Sequence, residues 1–89
     1  MSSKKTIARD VVRSPKQLGQ AVRNRRLELK LTQIELAQKI GSYQKTISRL
    51  EAGEPGIKTQ TMFDVITALD LEFTIQSRSK SKSRIEDLF

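Results

Sequence analysis

The 89-residue sequence contains no cysteine, no histidine and no tryptophan, and each absence removes a class of chemistry. Without cysteine there is no disulfide and no thiol nucleophile, and without either cysteine or histidine the usual zinc ligand sets cannot be assembled. Without histidine the side chain best suited to proton transfer near neutral pH is missing. An enzyme is therefore disfavoured; no catalytic residue, metal or cofactor is expected. Long apolar runs are lacking as well. Met1-Ser2-Ser3-Lys4-Lys5 leads into further polar residues, and no stretch approaches the roughly 20 apolar residues of a membrane span. A cytoplasmic location is expected. Aromatic residues make up 4% of the chain, which argues against a basic helix anchored in a membrane surface by bulky rings.

What the chain has instead is positive charge. Seventeen Lys and Arg against ten Asp and Glu give a formal net charge of +7, a strong bias toward polyanions for so small a protein, with nucleic acid the first partner to consider. A chain of this length holds one modest core.

The organisation follows from local signals. Residues 1–13 are polar and basic with scattered Ile7, Val11 and Val12, and are expected to form a flexible arm. Ser14-Pro15 opens a helix, with serine capping free amides and proline suited to the first helical position. Leu18, Ala21, Val22, Arg25 and Leu29 then follow the helical period to about Leu29. Thr32-Gln33-Ile34-Glu35 is a capping box that starts a second helix, ended by Gly41. A third helix is expected over Gln44 to Ala52, with Ile47 and Leu50 inward and Gly53 as its stop. Two short helices joined by a glycine turn read as a helix-turn-helix. After Glu54-Pro55-Gly56, a fourth helix presents Met62, Val65, Ile66 and Leu69 on one face.

Leu71-Glu72-Phe73-Thr74-Ile75 alternates with period two, as a half-buried strand does. No second strand is evident, so Leu71, Phe73 and Ile75 are expected to pair with the same strand of another subunit in a homodimer. From Ser77 onward the chain is low-complexity and basic, and is expected to be disordered. Its apolar tip, Ile85, Leu88 and Phe89, is a candidate partner-binding element. The fold class that emerges is all-α, four to five helices with a C-terminal strand pairing across a homodimer. Its divisions are an arm (1–13), a DNA-binding domain (14–76) and a tail (77–89).

In a helix-turn-helix the second helix lies in the major groove and residues at its start read base edges. Here these are Tyr43, Gln44, Lys45, Thr46 and, further on, Arg49. Gln44 carries a donor and an acceptor matching adenine N6 and N7; Lys45 and Arg49 suit guanine or phosphate, and Thr46 a thymine methyl or phosphate. The bland alternative is the wet face of a helix. Lys39, Lys58, Lys16, Lys4, Lys5, Arg9 and Arg13 are suited to phosphate, although a solvated charge is the default reading of each.

The run Thr32-Gln33-Ile34-Glu35-Leu36-Ala37-Gln38-Lys39-Ile40-Gly41, with Gln44, Thr46-Ile47-Ser48 and Leu50-Glu51-Ala52-Gly53, resembles the Xre/Cro/C1 helix-turn-helix family of phage repressors from about Leu18 to Leu69. The resemblance implies that Gln33 holds a phosphate and braces Gln44, and that Arg26 and Glu51 form an internal ion pair. Two positions depart from the family pattern: Lys30 stands where many members have glycine, and Tyr43 where a small polar cap is usual, which opens the option of capping by Ser42. The Ser-Pro opening, the segment 69–75 and the tail resemble the HipB-type antitoxins more than the phage proteins. That resemblance implies a repressor acting as a homodimer on a palindromic operator, regulating its own operon and neutralising a HipA-type kinase toxin. A stand-alone or prophage repressor, or a protein-interaction module of the same fold, remains the alternative.

Overall fold

The computed structural model describes residues 11–78, and these form four helices: α1 (Pro15–Glu28), α2 (Gln33–Lys39), α3 (Gln44–Glu51) and α4 (Thr59–Ala68). The starts of α1 and α2 are dictated by local side chains. Ser14 accepts from the Gln17 amide, with Pro15 in the first turn, and Thr32 and Glu35 close a reciprocal capping box. The start of α3 differs from the option of a Ser42 cap: the cap position is Tyr43, which makes no side-chain capping bond. A phenol on a long ring cannot reach back to the first amides, so the helix is held by packing of Ile47 and Leu50 rather than by its cap.

All four helices end in the same way. After each, one residue has positive φ, its amide bonding three residues back, while the next amide reaches five residues back. This double bond satisfies carbonyls that the helix end would leave open. Gly41 and Gly53 take that position after α2 and α3, but Lys30 (φ 59°) and Asp70 (φ 58°) take it after α1 and α4. The Lys30 question is thereby answered: the chain keeps the glycine-type turn with a side chain in it. The residues that follow, Leu31 and Leu71, supply the apolar side chain that usually accompanies the motif.

Val22, Leu36, Ala37, Ile47, Leu50, Val65, Ile66 and Leu69 form the buried core, with Leu18, Leu31, Ile40, Ile57, Met62 and Ala68 packed against it. At the end of α1 Leu29, which the helical period places inward, is exposed, whereas Arg26 is buried. Arg25 instead lies at the edge, its Nε donating to the Leu69 carbonyl at 2.9 Å and so tying α1 to the end of α4. Gly19 faces α3 so closely that a Cβ would lie 2.4 Å from the Leu50 carbonyl oxygen.

Residues 71–77 carry no assigned secondary structure, and there is no strand among the described residues. An extended segment becomes a strand only when a neighbour completes its hydrogen-bond ladder. Phe73 packs edge-on against Phe63 of α4, with ring centroids 5.1 Å apart, while Ile75 is 99% exposed. At the other end Val12 lines an apolar cleft with Pro15, Leu18 and Met62, and the Arg13 amide donates to Gln17 Oε1, so residues 12 and 13 join the folded part rather than the arm. The expectations for the rest of the arm (1–10) and for the tail from 79, including Ile85, Leu88 and Phe89, lie outside the described residues.

Candidate nucleic-acid interface

The turn at Gly41 sets α3 across α2, and this brings the start of α2 beside the whole length of α3. Gln33, the first residue of α2, therefore meets both Gln44, the first residue of α3, and Glu51, its last. Gln44 Nε2 donates to Gln33 Oε1 at 2.9 Å, and Gln33 Nε2 donates to Glu51 Oε1 at 3.0 Å. Behind them lies the ion pair: Arg26 Nε donates to Glu51 Oε2 at 2.6 Å and Nη2 to Oε1 at 3.0 Å. Arg26 Nη1 also donates to the Leu31 carbonyl at 2.8 Å, tying the pair to the turn after α1.

The side chains of Arg26 and Glu51 are only 8% and 4% exposed. The hydrogen bond to Glu51 raises the Arg26 pKa further above the ordinary guanidinium range, against the opposing effect of burial, with a smaller contribution from the carboxylate charge. Burying two charges is costly unless each is hydrogen-bonded by its partner and by neighbours. That condition is met here by the two-point contact, the Leu31 carbonyl and the Gln33 amide. One continuous polar chain thus runs from an exposed amide at the start of α3 to a salt bridge in the interior.

The other candidate residues lie on α3, at its cap or at the end of α2. Tyr43 is 79% exposed, Lys45 and Lys39 are exposed and Thr46 is half-buried. Arg49, about half exposed, is engaged by Glu54 through Nε to Oε1 at 2.8 Å. A pair so exposed contributes little and exchanges readily for another anion. The expected readers are thus gathered around the first two turns of one helix, whereas Lys58 lies apart, at the cap of α4. Two features were missed in the sequence: the Gln33–Glu51 bond and the Arg25 staple. No periodicity signals either, because both join elements distant in the chain.

Among the described residues, no helix is long and apolar enough to cross a membrane. The helix-turn-helix family model matches residues 22–76. The HipB antitoxins of Escherichia coli strains CFT073 and K12 are each 39% identical over 62 residues, which is 70% of this chain and 66% and 70% of theirs. The matched part thus spans about two thirds of the length of these relatives. A solved HipA-HipB-O2-O3 complex contains a chain 35% identical, superposing with a TM-score of 0.72 over 76% of this chain and 96% of that one. The restriction-modification controller protein C.AhdI from Aeromonas hydrophila is 28% identical, with a TM-score of 0.61 over 65% and 84%. With the family model matching residues 22–76, most of its length, and relatives 39% identical over 62 residues, the chain belongs to the Xre-type helix-turn-helix family of DNA-binding regulators and is a homologue of the HipB antitoxins.

Proposed function

We propose that this protein is a sequence-specific repressor that binds a palindromic operator as a homodimer, regulates its own operon and serves as the antitoxin of a HipA-type kinase. The observation that carries the DNA-binding part is the Gln44–Gln33 amide pair, placed on the open side of α3 and anchored to Arg26–Glu51. An amide held from behind reaches a base edge without the ordering cost of a free side chain. Gln44 reads adenine, Gln33 reaches phosphate with its second N–H, and Lys45, Thr46, Arg49, Tyr43 and Lys39 add contacts to bases or backbone.

The dimer is supported by exposed apolar surface. Phe63, Leu71, Phe73 and Ile75 are all exposed, on or beside a segment whose alternation suits pairing with its own copy across a two-fold axis. The region 14–76 is the DNA-binding unit, with 71–75 as its dimerisation strand and the basic residues from 77 onward adding salt-sensitive attraction to DNA. Support for the kinase partner comes from homology: HipB relatives occur in complexes with HipA. The tip Ile85, Leu88 and Phe89 is assigned to that partner.

Selection of duplexes from a random pool tests the reading. An inverted repeat with half-sites about 34 Å apart is expected, together with a complex between the full chain and a HipA-type kinase. Enrichment of no common sequence rejects the repressor. An operator without kinase binding leaves the stand-alone repressor as the function.

A further inference from the structure

The direction of the hydrogen bonds in the chain from Arg26 to Gln44 is not arbitrary. An ionised carboxylate only accepts, so the Gln33 amide must turn its NH2 group to Glu51, where Nε2 lies 3.0 Å from Oε1. Gln33 then turns its oxygen to the start of α3. That oxygen in turn demands a donor, and Gln44 answers with Nε2 at 2.9 Å. The outer edge of Gln44 is left with its oxygen and its second N–H, one acceptor beside one donor.

We propose that Glu51 is a positioning residue for base recognition, fixing the donor and acceptor order of Gln33 and through it the edge that Gln44 turns to DNA. This rests on the reading of Gln44 as the base-contacting residue and adds the reason for its preference. Acceptor beside donor matches adenine, which shows N6–H and N7 in the major groove; guanine shows two acceptors, O6 and N7. With the amides reversed, Gln33 donates to the Gln44 oxygen and the outer edge of Gln44 carries only N–H donors, an edge suited to guanine. Rotation of a carboxamide changes its shape little, so only the electrostatics of the partner decides between the two states. Bonds to a charged group are roughly twice as strong as neutral ones, and Arg26 holds the Glu51 carboxylate at both oxygens. The buried pair thus selects the base as well as holding α1 to α3.

The test is the double variant Arg26→Met with Glu51→Met, which removes both charges at once, leaves net charge unchanged and fills the space with apolar atoms, its folding checked by circular dichroism. Two duplexes are compared, taken from the selected operator and differing only in adenine or guanine at the base that Gln44 faces. Because the readout is the ratio of the two affinities, any uniform weakening of DNA binding cancels. The wild type should favour adenine by about tenfold, and the folded double variant should lose that ratio or reverse it. A wild-type ratio retained in the folded variant overturns the proposal alone. A wild-type ratio of one, unaffected by Gln44→Ala, overturns the assignment of Gln44 and the proposal with it. Nuclear magnetic resonance of the full wild-type chain without DNA tests the same point with no substitution. One Gln44 side-chain amide proton should be shifted from the position of a free glutamine amide and protected by its bond to Gln33, and a proton pair with the shifts and exchange rates of a free glutamine side chain overturns the inference.

Discussion

Arg26 grips Glu51 at both carboxylate oxygens, 2.6 and 3.0 Å away, in the interface between α1 and α3. Removing one member strands the other as a buried charge. Arg26→Ala should therefore cost about 3 to 5 kcal/mol, read as a fall in the urea midpoint. Replacing both residues by methionine should leave the midpoint near that of the wild type. Equal losses in the single and double variants would show that packing, not charge, carries the site.

The same pair sets an expectation for pH. The folded-state pKa of Arg26 is raised, so its contribution is fully present below the unfolded value and is lost only as pH rises through the still higher folded one. Alkaline titration of stability up to pH about 11 should leave this contribution intact, since guanidinium remains protonated throughout that range. If the stability difference between wild type and Arg26→Ala shrank there, the assignment would be wrong.

Gly19→Ala tests the close approach of α1 and α3. Alanine is the better helix former by about 1 kcal/mol, which alone would stabilise. The new Cβ, however, would lie 2.4 Å from the Leu50 carbonyl oxygen and 2.6 Å from that of Glu51, backbone atoms that cannot swing aside. The clash should win, with a net loss of about 1 to 3 kcal/mol in thermal or urea unfolding. A gain in stability would mean that the two helices lie further apart.

Lys30 and Asp70 offer the opposite case. A side chain in the left-handed region costs roughly 1 kcal/mol or more, which glycine avoids while adding unfolded-state entropy. Lys30→Gly should thus raise stability by up to about 1 kcal/mol. Asp70→Gly should gain less, because aspartate tolerates this conformation better than lysine. A destabilising Lys30→Gly would contradict the turn geometry at the end of α1.

Phe73 packs on Phe63 at the exposed edge of α4. Phe73→Asp places a charge in the proposed dimer face and should shift the protein toward monomer in sedimentation, weakening operator binding with it. A tight dimer after this change would place the interface elsewhere.

Those parts of the fold written in adjacent residues were legible in the sequence. The Ser14-Pro15 opening, the Thr32/Glu35 box and the apolar face of α4 each declare themselves within one or two turns, and α1 and α2 begin where their signals stand. On α1 the helical period points to Arg25 and only the family resemblance to Arg26, because the two are neighbours and the location of Glu51 decides which is buried. Gly19 could not be singled out, since its role depends on how near α3 comes. The alternation at 71–75 is plain, but Leu71 also serves the turn that ends α4, and pairing depends on a second chain rather than on any local feature. At the candidate site, residue type and position marked Gln44, and the family resemblance marked Gln33. The bond from Gln33 to Glu51, which joins the two ends of the helix-turn-helix, emerges only in three dimensions.

In the proposed function, α3 reads sequence through Gln44. Its most direct test is the affinity of wild type and Gln44→Ala for the selected operator and for random duplex at one salt concentration. On the operator the substitution should cost about 1 to 3 kcal/mol and relax the preference at one base pair per half-site, while random DNA is bound almost as before. An equal loss on both duplexes, or none on either, would contradict the account.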